Sequence, residues 1–218
     1  MIDYNKTELD ISFRGLRRLP DDISKYTNLK TLNCYVNKLT NLANLPNTLK
    51  RLACFANKIT SLDNANALPP TLEYLDCSDN KISSLDNLPS TLKELICYKN
   101  KITCLDNLPP ALEILNCNDN ELISLDYLPP TLKQLWCGNN KIMSLDNLPP
   151  TLELLYCYNN QITSLDNLPS SLKILNCSNN KITSLDNIPI TLEKLECYKN
   201  LLKYTFDIDI TLERISTK

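Results

Sequence analysis

Hydrophobic and polar positions recur along the chain with a period of 20 residues. Residues 88–107 read LPSTLKELICYKNKITCLDN, and residues 148–167 read LPPTLELLYCYNNQITSLDN. Within each unit the segment L-x-C alternates fixed apolar positions with variable ones, which is typical of a short β-strand with one buried face. Strands that recur in the same direction at a fixed spacing predict a solenoid of stacked parallel strands.

The repeat predicts eleven strands, the first at Leu9 and the last at Ile215. Most steps between strands are 20 residues long. Two steps are 23 residues long: the first, from Leu9 to Leu32, and the one that holds an insertion near residues 65–67. Both ends depart from the repeat, as terminal units of a solenoid do. We therefore expect one domain, 1–218, made of an N-terminal capping repeat at 1–31, regular repeats at 32–200 and a degenerate C-terminal repeat at 201–218.

The segments between strands leave little room for a helix. Proline pairs such as Pro69-Pro70 and Pro129-Pro130 precede the strands, and proline disfavours helix while it favours polyproline II. We expect the strands to line a concave face and the return segments to form an extended, polyproline II-like convex side. A helical turn is expected only in the first repeat, within 21–28.

The motif L-x-x-L-x-C-x-x-N-x-I-x-x-L resembles the consensus of the leucine-rich-repeat family, and the likeness covers nearly the whole chain. It implies a curved leucine-rich-repeat solenoid, α/β by convention but mostly β. The short unit with Leu-Pro before the strand is similar to the repeats of bacterial effector proteins and of giant-virus repeat proteins. The family binds many unrelated partners, so the resemblance implies binding without naming what is bound.

Nine of the ten cysteines fall on one repeat position and alternate with the inward leucines. We interpret them as small hydrophobic core residues. A file of thiols without any C-x-x-C pair does not converge as zinc ligands must, so no metal site is expected. The tenth, Cys104, stands where neighbouring repeats have serine and is a candidate for exposure.

An asparagine follows each of these cysteines by three residues. Its amide can pair backbone donors and acceptors where the chain leaves the strand. We therefore assign a structural role to this column, whose members are Asn57, Asn80, Asn100, Asn120, Asn140, Asn160, Asn180 and Asn200.

Three charged columns accompany the repeat. The residue after Thr-Leu alternates between lysine and glutamate from Lys50 to Glu193, which predicts ion pairs between neighbouring repeats. The aspartates from Asp63 to Asp186 form a like-charged row that could bond the amides of the following turn or bridge divalent cations. A third column is interpreted as a solvated basic edge: Lys58, Lys81, Lys101, Lys141 and Lys181.

Composition argues against catalysis. The chain has no histidine, which removes Ser-His-Asp and Cys-His mechanisms and the usual near-neutral acid-base group. With only 2 glycines, glycine-rich phosphate loops are absent as well. We expect no enzyme activity, no catalytic residues and no cofactor.

Charge and hydropathy limit the expected partners and location. A net charge of −2 gives no general reason to bind nucleic acid or an anionic membrane, and the chain lacks an apolar run long enough to span a bilayer. The first six residues are polar and lack the apolar core of a signal peptide. We expect a monomer in a reducing compartment, the cytoplasm of the cell or of a host cell.

Aromatic residues are concentrated at outward strand positions. The nine cysteine-bearing strands have 27 such positions, and these hold eight of the chain's fourteen aromatics. Strand propensity is one explanation, and a binding surface is the other. On the second interpretation, one partly apolar region is continuous across the middle of the concave face, from Ile96 and Tyr98 across Ile114 and Asn116 to Trp136, Tyr156 and Tyr158. The candidate residues also include Tyr74, Phe55 and Tyr35.

Three functional hypotheses follow. The first is a non-catalytic protein–protein interaction module that binds a protein partner through the concave strand face. The second, implied by the resemblance to effectors, is a scaffold that recruits substrates for a ubiquitin-ligase or other effector domain outside this chain. The third is a passive structural or decoy protein with no defined ligand.

Overall fold

The computed structural model describes residues 3–63 and 68–202. Their ten strands form one parallel sheet in chain order. The strands are β1 Glu8–Asp10, β2 Thr31–Asn33, β3 Arg51–Ala53, β4 Tyr74–Asp76, β5 Glu94–Ile96, β6 Ile114–Asn116, β7 Gln134–Trp136, β8 Leu154–Tyr156, β9 Ile174–Asn176 and β10 Lys194–Glu196. The predicted eleventh strand, with Leu212 and Ile215, lies outside the described residues.

The only helix in the described ranges is a single 3-10 turn at Ile23–Lys25, within the segment where the sequence predicted a helical turn. It forms part of the first repeat, where the ring of Tyr4 packs edge-on against Tyr26 with centroids 5.0 Å apart. None of the described segments forms a helix long and apolar enough to cross a bilayer.

Each strand turns its central leucine inward. Leu115, Leu135 and Leu155 are direct partners on β6, β7 and β8 and are fully buried. The cysteine two residues later also points inward, so that all nine are buried, whereas Cys104 is exposed. The predicted packing role of the cysteines is confirmed. Full burial of a leucine side chain contributes about 1.5–3 kcal/mol, and every regular repeat contributes several such residues.

The return segments consist of turns and extended chain. In a typical repeat the N–H of Leu132 donates to the carbonyl of Pro129 at 3.0 Å. The hydroxyl of Thr131 donates to the carbonyls of Pro110 and Leu112 in the preceding repeat, both at 2.8 Å. The prediction of a convex side without helix is therefore confirmed for the described repeats.

A ladder of buried and half-buried asparagines joins successive repeats. The amide nitrogen of Asn120 donates to the carbonyls of Cys97, Cys117 and Asn118, each at 3.1 Å, and its Oδ1 accepts the N–H of Ile102 at 3.0 Å. The N–H of Ile102 has no other partner among the described residues, and leaving it unpaired would cost about 1–3 kcal/mol. The same set of bonds recurs at Asn57, Asn80, Asn100, Asn140, Asn160, Asn180 and Asn200.

Replacing Asn120 with alanine is expected to lower the free energy of unfolding by about 3 kcal/mol, because one buried N–H loses its only partner and three carbonyls lose a donor. Urea denaturation measures the change. The matched control is Asn147→Ala, since the exposed amide of Asn147 bonds the carboxylate of Asp126 at 2.6 Å and its loss is expected to cost less than about 1 kcal/mol. Equal losses in the two variants would contradict a special role for the buried ladder.

The alternating lysine–glutamate column forms ion pairs along the stack, as predicted. Lys133 reaches Glu113 at 2.7 Å, and Lys173 reaches Glu153 at 2.7 Å. Hydrogen bonding to these lysines lowers the pKa of both glutamates. The pairs are well exposed, so each contributes little to stability; their main effect is to favour one register of neighbouring repeats.

The aspartate row has a partner that the sequence interpretation did not name. The Oδ1 atoms of Asp126 and Asp146 accept hydrogen bonds from the side-chain amides of Asn147 and Asn167, one repeat further on, at 2.6 and 2.8 Å. Side-chain amides therefore replace the predicted backbone amides of the following turn. For the cation-bridging interpretation, residues 3–63 and 68–202 contain no group of three or more acidic or thiol side chains placed to hold a metal ion.

Candidate functional site

The outward side chains of the ten strands form a continuous surface, which we call the concave face. Side chains on neighbouring strands partly cover one another, so that Trp136, Tyr156 and Tyr158 are half-buried. Each of these three rings is open to solvent on one side and packs against neighbouring residues of the sheet on the other. Within the predicted set, Ile96, Tyr98, Tyr74, Phe55, Tyr35 and Asn116 are also half-buried.

Trp136 and Tyr156 form the first part of an aromatic cluster on β7 and β8. The two residues are direct partners in the sheet. Their ring centroids lie 6.2 Å apart with an interplanar angle of 74°, which is the edge-to-face arrangement favoured by aromatic quadrupoles. The contact fixes both rings on the concave face.

Tyr158 completes this cluster by lying against a glycine. A Cβ atom built on Gly138 would lie 2.5 Å from Cζ of Tyr158, so the ring occupies the space that any other residue would need there. The Gly138 N–H also donates to Oδ1 of Asn118 at 2.6 Å, and burial raises the pKa of Tyr158. We refer to Trp136, Tyr156 and Tyr158 as the Trp136 cluster.

A second cluster lies in the first three repeats, near β1. The rings of Tyr35 and Phe55 are stacked with centroids 4.4 Å apart, and Phe13 packs edge-on against Tyr35 at 5.4 Å. Phe13 is 71% exposed. It was missing from the predicted set because it aligns with Val36, one residue beyond the outward positions that were counted.

The ring contacts on the concave face therefore fall into two clusters. Tyr98 lies between them, flanked at the equivalent positions by Ser78 and Asn118, and it makes no ring contact with another described aromatic. On β3 and β4 the guanidinium of Arg51 lies 3.9 Å from the ring centroid of Tyr74. Burial, followed by nearby carboxylates, raises the pKa of Tyr74 to about 12.

Polar side chains flank the Trp136 cluster toward β10. The amide of Asn176 donates to Oε2 of Glu196 at 2.6 Å, and Lys194 pairs with Oε1 of the same carboxylate at 2.6 Å. An apolar centre beside a satisfied polar border is the usual composition of a protein interface.

The residue directly before each ladder asparagine has a left-handed backbone. At Asn139, Asn159 and Asn179 the φ angles are 54°, 51° and 54°, and asparagine adopts this conformation readily. The same position in the first repeats holds Phe13 at 57° and Val36 at 50°. A β-branched residue at positive φ is a genuine outlier, so the backbone is strained at this end of the solenoid.

Sequence comparisons agree with this architecture. A family model described as "Leucine Rich repeats (2 copies)" matches residues 70–110 and 150–190. No curated protein matches the chain in a sequence search.

Several solved structures share the fold. YopM, a leucine-rich effector protein from Yersinia pestis, is 32% identical with a TM-score of 0.73, over 93% of this chain and 63% of that one. The functional domain of InlJ from Listeria monocytogenes, which includes a cysteine ladder, is 32% identical with a TM-score of 0.68, over 91% and 50% of the two chains. The leucine-rich-repeat domain of a Shigella effector is 27% identical with a TM-score of 0.65, over 90% and 83%.

The chain spans about half of the InlJ domain and less than two thirds of YopM. What it shares with them over that length is the fold. Taken with the asparagine ladder and the 20-residue period, these likenesses show that the chain is a leucine-rich-repeat solenoid, with repeats that resemble those of bacterial effectors.

Proposed function

We propose that this protein is a non-catalytic module that holds a protein partner on its concave face, with the Trp136 cluster at the centre of the contact. The observation that carries the proposal is the edge-to-face pair of Trp136 and Tyr156, which stands half-buried on the outward side of the sheet. Tryptophan and tyrosine in such positions are the residues that most often dominate binding energy.

The geometry of the cluster supports this role because the rings are ordered before a partner arrives. Tyr158 rests on the backbone of Gly138, and Tyr156 is held by Trp136. Side chains that are already fixed lose little conformational entropy on binding. The polar network of Asn176, Lys194 and Glu196 would border the contact.

The proposal assigns no chemical step to the chain, in keeping with the absence of histidine from the sequence. We further propose a monomer that works in a reducing compartment, the cytoplasm of the cell or of a host. Support for the compartment comes from the free state of all ten cysteines, since secreted proteins of this size commonly oxidise theirs.

A substrate-recruiting scaffold is the second candidate. The observation that favours it is the likeness to the leucine-rich-repeat domain of a Shigella effector over 83% of that domain. Such a scaffold would use the same concave contact, so both candidates depend on the Trp136 cluster.

Trp136 is the only tryptophan in the chain, and its fluorescence reports directly on the proposed contact. A partner would be captured from a eukaryotic cell lysate, purified and titrated against the protein. Binding is expected to shift the emission to the blue and to shield the indole from acrylamide. A purified partner that binds while emission and quenching stay unchanged would place the contact away from the Trp136 cluster.

A further inference from the structure

One lateral edge of the first five repeats is strongly basic, although the whole chain has a net charge of −2. We define this basic edge by the equivalent segments 13–17, 36–40, 56–60, 79–83 and 99–103. These segments contain one carboxylate, that of Asp79. They contain seven cationic side chains: Arg14, Arg17, Lys38, Lys58, Lys81, Lys99 and Lys101. The equivalent described segments of the five later repeats hold three cations and two carboxylates.

The lysines of the basic edge are exposed and lack internal counter-ions. None of the five forms an ion pair within residues 3–63 and 68–202. By contrast, Lys141, at the same position in a later repeat, pairs with Glu121 at 3.3 Å. No ion pair within the described residues therefore offsets the repulsion between these lysines.

These lysines stand on adjacent rungs of the solenoid. The backbone N–H groups of Lys58, Lys81 and Lys101 each donate to a carbonyl of the preceding repeat at 2.8 Å. Rungs bonded in this way are about 4.8 Å apart, so the side chains form a regular file of like charge. Like charges at that spacing destabilise a sheet, and an external anion would remove the repulsion.

Two exposed apolar residues lie beside this file. Val36 and Lys38 flank the inward Asn37, and Phe13 is the equivalent of Val36 on the preceding rung. Phe13 is 71% exposed and Val36 is 37% exposed, both with positive φ. The asparagine found in later repeats would relieve both the strain and the exposure, so their presence is evidence of contact with a partner.

The basic edge is also narrow. On one side it is bordered by the exposed aspartates Asp63, Asp86 and Asp106, and on the other by Asp10 and Asp76 of the concave face. A broad anionic surface, such as a membrane or a nucleic-acid duplex, would meet these carboxylates. A single narrow segment that carries negative charge would contact the lysines without meeting these carboxylates.

We infer that the basic edge binds an acidic, amphipathic helical segment of a protein partner, whose apolar residues cover Phe13 and Val36. A helix lying along the file repeats its side chains at about 5.4 Å per turn, close to the rung spacing of about 4.8 Å. One carboxylate per turn can then face one lysine per rung. This surface is separate from the Trp136 cluster on β7 and β8 and goes beyond the proposed function.

The test uses a fluorescein-labelled helical peptide of glutamate with leucine on one face, followed by fluorescence anisotropy with the full chain. The peptide is expected to bind, and its affinity should fall as salt is added. In the variant K38E/K58E/K81E the affinity should fall by about tenfold or more. The matched control K141E/K181E changes the same repeat position in later repeats and should alter affinity by less than about twofold.

A second variant, F13N/V36N, separates binding from folding. It should weaken peptide binding by about threefold or more without lowering the melting temperature, because asparagine suits positive φ. The inference is overturned if the peptide fails to bind, or if K38E/K58E/K81E and its control behave alike. It is also overturned if single-stranded oligonucleotide or phosphatidylserine-containing vesicles bind through these lysines while the peptide does not. Loss of this site would leave the tryptophan fluorescence test of the concave face unaffected.

Discussion

The protein is expected to unfold cooperatively as the pH rises from about 8.5 to about 10, a range in which most proteins without a buried thiol file remain folded. Nine cysteine side chains lie in the core. Burial raises the pKa of Cys34, Cys117 and Cys157 to about 12, and it raises the pKa of the other six core cysteines as well.

The sign of this effect follows from which state loses protons. In the unfolded chain a thiol ionises near pH 8.5, whereas in the folded core it stays protonated. The contribution of the protonated core thiols to stability is therefore fully present below about pH 8.5 and is lost as the pH rises above that value. Above about pH 8.5 each buried thiol lowers the free energy of unfolding by about 1.4 kcal/mol per pH unit. One pH unit higher, nine thiols together lower it by on the order of 10 kcal/mol, which is comparable with the whole free energy of unfolding.

Urea denaturation in the presence of a reductant, at a series of pH values from neutral to about 9.5, measures this slope. The variant C137V/C157V removes two buried thiols and should reduce the slope by the equivalent of about two protons. The control is Cys104→Ser, which removes the exposed thiol and should leave the slope unchanged. A free energy of unfolding that stays constant over this pH range would contradict the account of the thiol file.

The double variant W136A/Y156A is expected to weaken partner binding by at least about 100-fold, since loss of a central aromatic anchor typically costs 2 kcal/mol or more. Its melting temperature should fall only slightly, because both side chains lie on the outward face and leave Leu135 and Cys137 of the core in place. Titration calorimetry with the purified partner and thermal denaturation provide the two measurements.

The matched control is Tyr127→Asn. Tyr127 is 77% exposed on a return segment, at a position where six other repeats have asparagine directly before Leu-Pro or Ile-Pro, so its removal should leave binding intact. If W136A/Y156A binds as well as the parent protein, the concave site is wrong and the charged edges become the next candidates. If it unfolds, the alternation of inward and outward residues on β7 and β8 is wrong.

Much of the fold could be predicted because one short pattern determines it. In L-W-C and L-Y-C the leucine and cysteine alternate with the aromatic residue, which is enough to place Leu135 inward and Trp136 outward. The buried asparagine bonds follow from the same period, since a residue fixed in every repeat occupies the same place on every rung.

Contacts across strands were harder to predict because they depend on what the neighbouring repeat holds. Tyr35 stacks on Phe55 because both rings fall on the same position of adjacent strands, whereas Tyr98 has small or polar neighbours there. The bond from Asn147 to Asp126 depends on the shape of a turn, of which the repeated Asp-Asn pair gave only a hint. The left-handed backbone at Val36 had no local signal at all, since valine disfavours it.

The alternating lysine–glutamate column constrains how an array of this kind changes in length over evolution. Each strand contacts only its immediate neighbours, so the loss or gain of a repeat leaves the remaining contacts of the core intact. Loss of the single unit 108–127, however, would bring Lys93 next to Lys133, two like charges on adjacent rungs. Loss or gain of two units, 40 residues in this 20-residue period, preserves every charge partner. Duplication and deletion in pairs should therefore be tolerated better than single steps, and sister genes should differ by even numbers of repeats.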